Sequence, residues 1–177
     1  MTKGLGVEAT AILAREKADD LRRRGIDDEA LRRARNYLRD PGISVLREAR
    51  IACETTRVHA MHDPTEGGVA TALRELAIAS GVGLVLEGDA LFASRDTLEL
   101  CAALDLDPLG VISSGALLIG VRGEDAEDVR DAIREAGILC EIIGRTEDRG
   151  RGLKIRQDGT WTDLPTFDRD EIAGVFE

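Results

Sequence analysis

Nine consecutive residues, His62-Asp63-Pro64-Thr65-Glu66-Gly67-Gly68-Val69-Ala70, set a histidine and two carboxylates ahead of paired glycines that run straight into an apolar-striped helix. The first amides of a helix have no partner within it and carry the positive end of its dipole, so such a turn is laid out to receive a phosphate or carboxylate. Two successive glycines cost a helix about 1 kcal/mol each relative to alanine, a penalty tolerated where something must approach the backbone closely. A structural alternative stands beside this one: Asp63 and Thr65 as helix caps, with the glycines making a tight strand-to-helix turn. On the first reading Thr65, Gly67 and Gly68 are candidate phosphate or substrate contacts.

The flanking groups extend the chemistry. His62, next to Asp63, is a candidate general acid–base group or substrate hydrogen-bonding group, and Asp63 is its candidate catalytic partner. Glu66 beside a phosphate would repel it by a few kcal/mol. Either Mg2+ sits between, held by Asp63 and Glu66 as hard oxygen ligands, or the substrate offers a basic or hydroxyl group there. A transition-metal set of His59, His62, Asp63 and Glu66 is weaker, since His59 and His62 fall on opposite faces of an extended segment. A second small polar stretch, Val111-Ile112-Ser113-Ser114-Gly115-Ala116, reads by residue type as a serine-capped β-turn before an apolar strand.

At 177 residues the chain is long enough for one well-packed domain and short for two. With 43% hydrophobic and 33% charged residues it reads as a soluble globular protein. No apolar run reaches the roughly 20 residues that a membrane helix needs, and Met1-Thr2-Lys3-Gly4 lacks the apolar core of a signal peptide, so a cytoplasmic protein with no membrane partner is expected. A net charge of −10 opposes nucleic-acid binding, which depends on Lys and Arg neutralising phosphates. Arg22, Arg23, Arg24, Arg32, Arg33 and Arg35 are interleaved with acids and read as a solvated helix face. Cys53, Cys101 and Cys140 are too far apart for a zinc ribbon or a disulfide framework and read as small core residues.

The pattern along the chain alternates. Val7 to Ala14 is an apolar, β-capable run. Helices are expected from about Arg15 to Arg24, from an Asp27 cap to Arg39, and from Ser44 to Glu54, a helical block of about residues 15–54. In the sheet-forming remainder, 55–177, strands are expected at Arg57–Met61, Val82–Glu87, Ala116–Val121 (apolar throughout and so central), Ile138–Gly144, Leu153–Gln157 and Trp161–Leu164. Helices fall after the glycines, at Ser94–Ala103 and at Asp125–Ala136, and Gln157-Asp158-Gly159-Thr160 supplies a hairpin turn. Strands alternating with helices imply an α+β or α/β domain with a mixed sheet.

Four linked segments carry a resemblance. His62 to Leu73, Ala79-Ser80-Gly81-Val82-Gly83, Leu106-Asp107-Pro108-Leu109 and Ser114-Gly115-Ala116-Leu117 resemble the C-terminal half of the aminoimidazole-ribonucleotide (AIR) synthase, or PurM-like, superfamily, and most of all its hydrogenase-maturation (HypE-like) branch and that branch's archaeal-type relatives. Gly6 to Ala14 and Pro41-Gly42-Ile43-Ser44-Val45 resemble the same relatives, so the resemblance runs from about Gly6 to the last helix.

The resemblance implies a three-layer α/β/α sandwich, partly ferredoxin-like, in a single domain over residues 1–177. It implies the substrate-side half of an ATP- and Mg2+-dependent enzyme that activates an amide or carbonyl oxygen by phosphorylation. Ser113, Ser114 and Gly115 would line the cleft opposite the glycine turn and touch phosphate oxygens. The partners implied are a small-molecule substrate or nucleotide phosphate and an N-terminal ATP-binding half, which supplies the main ATP site and the dimer contacts of the full-length homodimer. That half is absent from this sequence, as expected of a shortened chain, a split-gene product or a free-standing domain. Two departures stand out. Relatives of the hydrogenase branch commonly have arginine where this chain has Glu66, and those that build cyanide carry it on a C-terminal cysteine, whereas this chain ends Val175-Phe176-Glu177. A non-catalytic binding or assembly module, or a hydrogenase-maturation accessory, is the alternative expectation.

Overall fold

Seven helices, α1 (Val7–Glu16), α2 (Ala18–Arg23), α3 (Asp28–Arg35), α4 (Leu46–Thr55), α5 (Gly68–Ser80), α6 (Arg95–Ala103) and α7 (Ala126–Glu135), appear in the computed structural model, which describes every residue from Met1 to Glu177. The Val7–Ala14 run is therefore helical, not the β-capable segment expected. Ala9, Ala11 and Ala14 favour helix, and Val7, Ala9, Thr10, Ala11, Leu13 and Ala14 are all buried, so little polar face marks the 3.6-residue period. Asp27 caps α3 as expected, its carboxylate accepting from the Ala30 N–H at 2.7 Å, and Ser94 caps α6 through the Thr97 N–H at 2.9 Å. The fully buried Leu13, Leu21, Leu31 and Leu100 lock these helices together. Each such side chain contributes roughly 1.5–3 kcal/mol by leaving water.

The arginine-rich faces are paired within the chain. Arg22 meets Asp19 and Asp28, Arg23 and Arg24 meet Asp20, and Arg33 meets Asp96, so these arginines serve the fold's own carboxylates.

Six strands follow: β1 (Ala60–His62), β2 (Gly83–Glu87), β3 (Leu118–Gly120), β4 (Gly144–Glu147), β5 (Leu153–Gln157) and β6 (Thr160–Asp163). They form a mixed four-stranded sheet in the order β4-β2-β5-β6, with β2 and β5 parallel, and a separate antiparallel ribbon of β1 and β3. The Ala116–Val121 segment, expected at the centre, instead forms half of this ribbon; β2, with four of its five residues buried, is an inner strand of the larger sheet. Ile119 and Val121 turn toward α4 and α7 rather than into the main core. The expected Ile138–Gly144 strand is displaced to Gly144–Glu147 for a similar reason. The chain's first residues claim its backbone: Glu141 N–H donates to the Met1 carbonyl and Lys3 N–H to the Leu139 carbonyl. The β5–β6 hairpin closes over Asp158-Gly159 as its sequence predicts.

Helix α5 lies against the larger sheet, with Val69, Leu73 and Ala77 in one cluster with Leu84, Leu86 and Ile155. This packing fixes the helix axis and so aims its N-terminus. Of the cysteines, Cys101 and Cys140 are buried but Cys53 is exposed, which corrects its reading as a core residue. Burial pushes the Cys101 thiol up to about 12, far from a reactive thiolate at neutral pH.

Candidate functional site

Strand β1 delivers the chain to the glycine turn, and β3 carries it away from the serine turn. Because the two pair antiparallel, with His62 opposite Leu118, both turns sit at the same end of the ribbon. Packing thus brings together two motifs about fifty residues apart in sequence.

Both glycines at the start of α5 have left-handed backbone, Gly67 at φ 76° and Gly68 at φ 66°. Their surroundings differ. A Cβ at Gly68 would collide with the Leu109 carbonyl oxygen and stand 2.7 Å from that of Val111, while a Cβ at Gly67 would meet the side chain of Thr71. Gly68 is therefore required by backbone packing against the 109–111 segment. Its N–H donates to the Thr65 carbonyl at 3.0 Å, and the Ala70 N–H donates to the Leu109 carbonyl at 3.1 Å. The Gly67 N–H donates to a carboxylate, Asp170 Oδ2, at 2.8 Å. An anion does rest on the first amide of the turn, and it comes from this chain's own C-terminal segment. Neither Asp63 nor Thr65 supplies a side-chain cap to α5.

Asp63 is half-buried, and its Oδ1 is shielded from solvent without a hydrogen-bonding partner. Burial raises its carboxyl above the usual carboxylate range; the Gly115 amide, His62 and Lys3 oppose this, and Glu8 adds to it. His62 turns away from Asp63 to α5, where its Nε2 lies 2.8 Å from Glu75 Oε2. His59, exposed, lies on the preceding segment, its N–H donating to the Gly120 carbonyl at 2.9 Å. Thr65 and Glu66 are exposed at the tip of the turn. No group of three or more His, Cys, Asp or Glu side chains converges anywhere, so the His59, His62, Asp63, Glu66 transition-metal set is not assembled.

In the serine turn the three residues separate. Ser113 is fully buried, its Oγ accepting from the Gly6 N–H and donating to the Val111 carbonyl, both at 2.9 Å. That hydroxyl is committed to holding the start of α1. Ser114 is half-exposed, and Gly115 faces Asp63 and the Gly42–Ile43 backbone.

A family model described as AIR synthase related protein, C-terminal domain, matches residues 1–155. The chain belongs to this family. It is similar to a hydrogenase expression/formation protein of Methanocaldococcus jannaschii, 36% identical over 108 residues, which are 60% of this chain and 32% of that protein. It is also similar to the carbamoyl dehydratase HypE of Cupriavidus necator, 39% identical over 96 residues, 53% of this chain and 27% of that protein. The match thus spans under a third of either relative's length. A crystal structure of Escherichia coli HypE shares the fold at TM-score 0.75 and 24% identity, over 97% of this chain and 50% of that one. HypE in complex with ATP shares it at 0.63 and 24%, over 72% and 41%. The mixed α/β architecture expected from the sequence is the fold of these AIR synthase-related neighbours.

The AIR synthase-related match stops at residue 155, so Asp170 lies beyond it. Sequence reasoning missed this contact and also Glu75. Asp170-Glu171 before an apolar stretch does signal a local cap, and Asp170 Oδ1 accepts from the Ile172 N–H at 3.0 Å. Its reach across to Gly67 has no signal in sequence.

Proposed function

We propose that this chain is the substrate-side, C-terminal half of an ATP-dependent enzyme of the AIR synthase/HypE type, one that activates an amide or carbonyl oxygen by phosphorylation. The observation that carries this reading is the Gly67 amide at the head of α5, already donating to a carboxylate, four residues on from a half-buried Asp63 with one oxygen lacking a partner. Membership of the AIR synthase-related family and likeness to carbamoyl dehydratases support the choice of reaction class. ATP bound with its partner half would supply the phosphoryl group.

The chain's own residues do the following. The Gly67 N–H and the helix dipole stabilise a phosphate or oxyanion, with the Thr65 and Ser114 hydroxyls free to add donors. Gly68, packed on the 109–111 backbone, holds the glycine turn next to the segment that leads into the serine turn, which fixes where that amide points; Ser113 ties that segment to the start of α1. His62, oriented by Glu75, gives or takes a proton at the substrate's nitrogen or oxygen. Asp63, with a shielded oxygen lacking a partner, fits a hard cation, and with Glu66 would hold Mg2+; Mg2+ accepts one or two carboxylates and completes its shell with water and phosphate. The partner would be an ATP-binding half, which also makes the dimer contacts, in the cytoplasm. No helix here is long and apolar enough to cross a membrane.

Calorimetric titration of ATP with Mg2+, with and without a HypE ATP-binding half supplied in trans, tests this. Binding and phosphate release that need both halves, and that fall in His62→Ala, are expected. No binding of ATP, ADP or phosphate even with both halves present would leave the binding-module alternative standing.

A further inference from the structure

Residues 2 and 3 clasp the serine turn at two points. Thr2 N–H donates to the Leu117 carbonyl at 3.0 Å, and Thr2 Oγ1 accepts from the Leu117 N–H at 3.0 Å, gripping the chain just past the turn. The Lys3 ammonium donates to the Gly42 carbonyl at 3.1 Å, the Ser44 carbonyl at 2.6 Å and Glu48 Oε1 at 2.9 Å, so all three of its protons are used. The 42–44 loop held in this way backs directly onto the turn. A Cβ at Gly115 would stand 3.1 Å from the Gly42 carbonyl oxygen and 3.1 Å from the Ile43 Cα. Gly115 in turn faces Asp63, whose carboxyl is held down both by the Gly115 amide and by the Lys3 charge.

This arrangement is a poor way to gain stability. Lys3 and Glu48 are withdrawn from water, and Glu48 Oε2 is left without a partner. Removing two charges from water offsets most of what their attraction returns, and an unmade bond on a buried carboxylate adds to the cost. Lys3 also adopts left-handed backbone at φ 54°, which a residue with a Cβ takes only where its surroundings impose it. What the pair does achieve is to fix one loop. Two apolar side chains of similar volume would fill the same space but would leave the Gly42 and Ser44 carbonyls without the Lys3 donor.

We propose that Lys3 is a positioning residue for the candidate site: its grip on the Gly42 and Ser44 carbonyls seats the 42–44 loop behind Gly115, and so sets where Gly115 and the Ser114 hydroxyl stand relative to Asp63 and the glycine turn. Lys3 acts through the loop, since its ammonium has no proton left to offer a ligand. The role rests on the anion-site reading above and deepens it.

The test compares the full chain with Lys3→Met/Glu48→Met, in which two methionines take the place of the pair, and with Glu48→Gln, which keeps Lys3 and an acceptor for it. Urea denaturation, inorganic phosphate affinity by calorimetry and the Gly115 amide resonance are followed in each. The double variant should match or exceed the parent's stability yet bind phosphate about three- to tenfold more weakly, with the Gly115 amide shifted. A role in stability alone predicts no loss of affinity in a variant that is stable. Glu48→Gln should lose stability but keep the parent's phosphate affinity and Gly115 resonance, because both carbonyl bonds remain. Parental affinity, or an unmoved Gly115 amide, in the double variant overturns the role of Lys3 and leaves the anion site standing. No phosphate binding by the parent overturns both. If the double variant fails to fold, Glu48→Gln decides: weakened affinity or a displaced Gly115 there assigns the placement to the charge pair rather than to the carbonyl grip, and overturns the proposal.

Discussion

Replacing Gly68 by alanine tests whether the head of α5 is held by backbone packing. The new methyl would collide with the Leu109 carbonyl oxygen, 2.7 Å from the Val111 oxygen and 3.0 Å from the Gly110 carbonyl carbon. All three are backbone atoms that cannot rotate aside. Left-handed backbone at φ 66° adds about 1–2 kcal/mol for a residue with a Cβ. Overpacking of this kind costs about 1–3 kcal/mol, and pushing the 109–111 segment away stretches the Ala70–Leu109 hydrogen bond as well. A loss of about 3–5 kcal/mol is expected, a large part of the ~5–15 kcal/mol that stabilises a typical domain. In a chain of this size that lowers Tm by roughly 10 °C. Gly67→Ala shares the backbone strain, but its methyl meets a Thr71 side chain able to change rotamer, so about 1–2 kcal/mol is expected. Urea denaturation followed by circular dichroism measures both. If Gly68→Ala loses less than about 1 kcal/mol, or Gly67→Ala is the more damaging of the two, the packing argument is wrong.

Asp63→Asn should stabilise the fold at neutral pH. The folded-state pKa of Asp63 is raised by burial, so its ionised form costs stability above that raised value, and the cost fades as pH falls to the ordinary carboxylate range. A Tm gain at pH 7 that vanishes in acid is the expected result, and a loss at pH 7 would contradict it. Lys3→Met should cost about 3–5 kcal/mol in denaturant melts, because Lys3 and Glu48 form a buried pair with side chains 6% and 1% exposed and Glu48 would be left uncompensated. Ser113→Ala should cost about 1–3 kcal/mol by the same assay, since the Gly6 N–H loses its buried acceptor. His62→Ala should leave stability within about 1 kcal/mol, its pair with Glu75 being solvent-exposed, while lowering phosphate release by the reconstituted enzyme about a hundredfold or more.

The helix caps at Asp27 and Ser94, the β5–β6 hairpin and the start of α5 at the glycines were legible because their signals are local. Asp27, Ser94 and Asp158-Gly159 act on amides two or three residues away. The Val7–Ala14 helix was not, since burial on nearly every side removes the polar face that reveals a helical period. The displaced β4 and the ribbon formed by β3 were hidden for another reason. Partners that claim these or their neighbouring segments, Met1–Lys3 and α4, lie far away in sequence. In the site, residue types singled out the glycine and serine turns but not their contacts. Gly68 answers to Leu109 and Val111, Ser113 to Gly6, and Gly67 to Asp170, each by packing across at least 40 residues.

The account turns on the Gly67 amide, just ahead of α5, receiving an external anion. Two-dimensional amide NMR of the full chain, titrated with inorganic phosphate at constant ionic strength, tests this most directly. The expected result is a saturable shift largest at Gly67. Saturation with Gly67 unmoved, or no saturable shift at all, would contradict it.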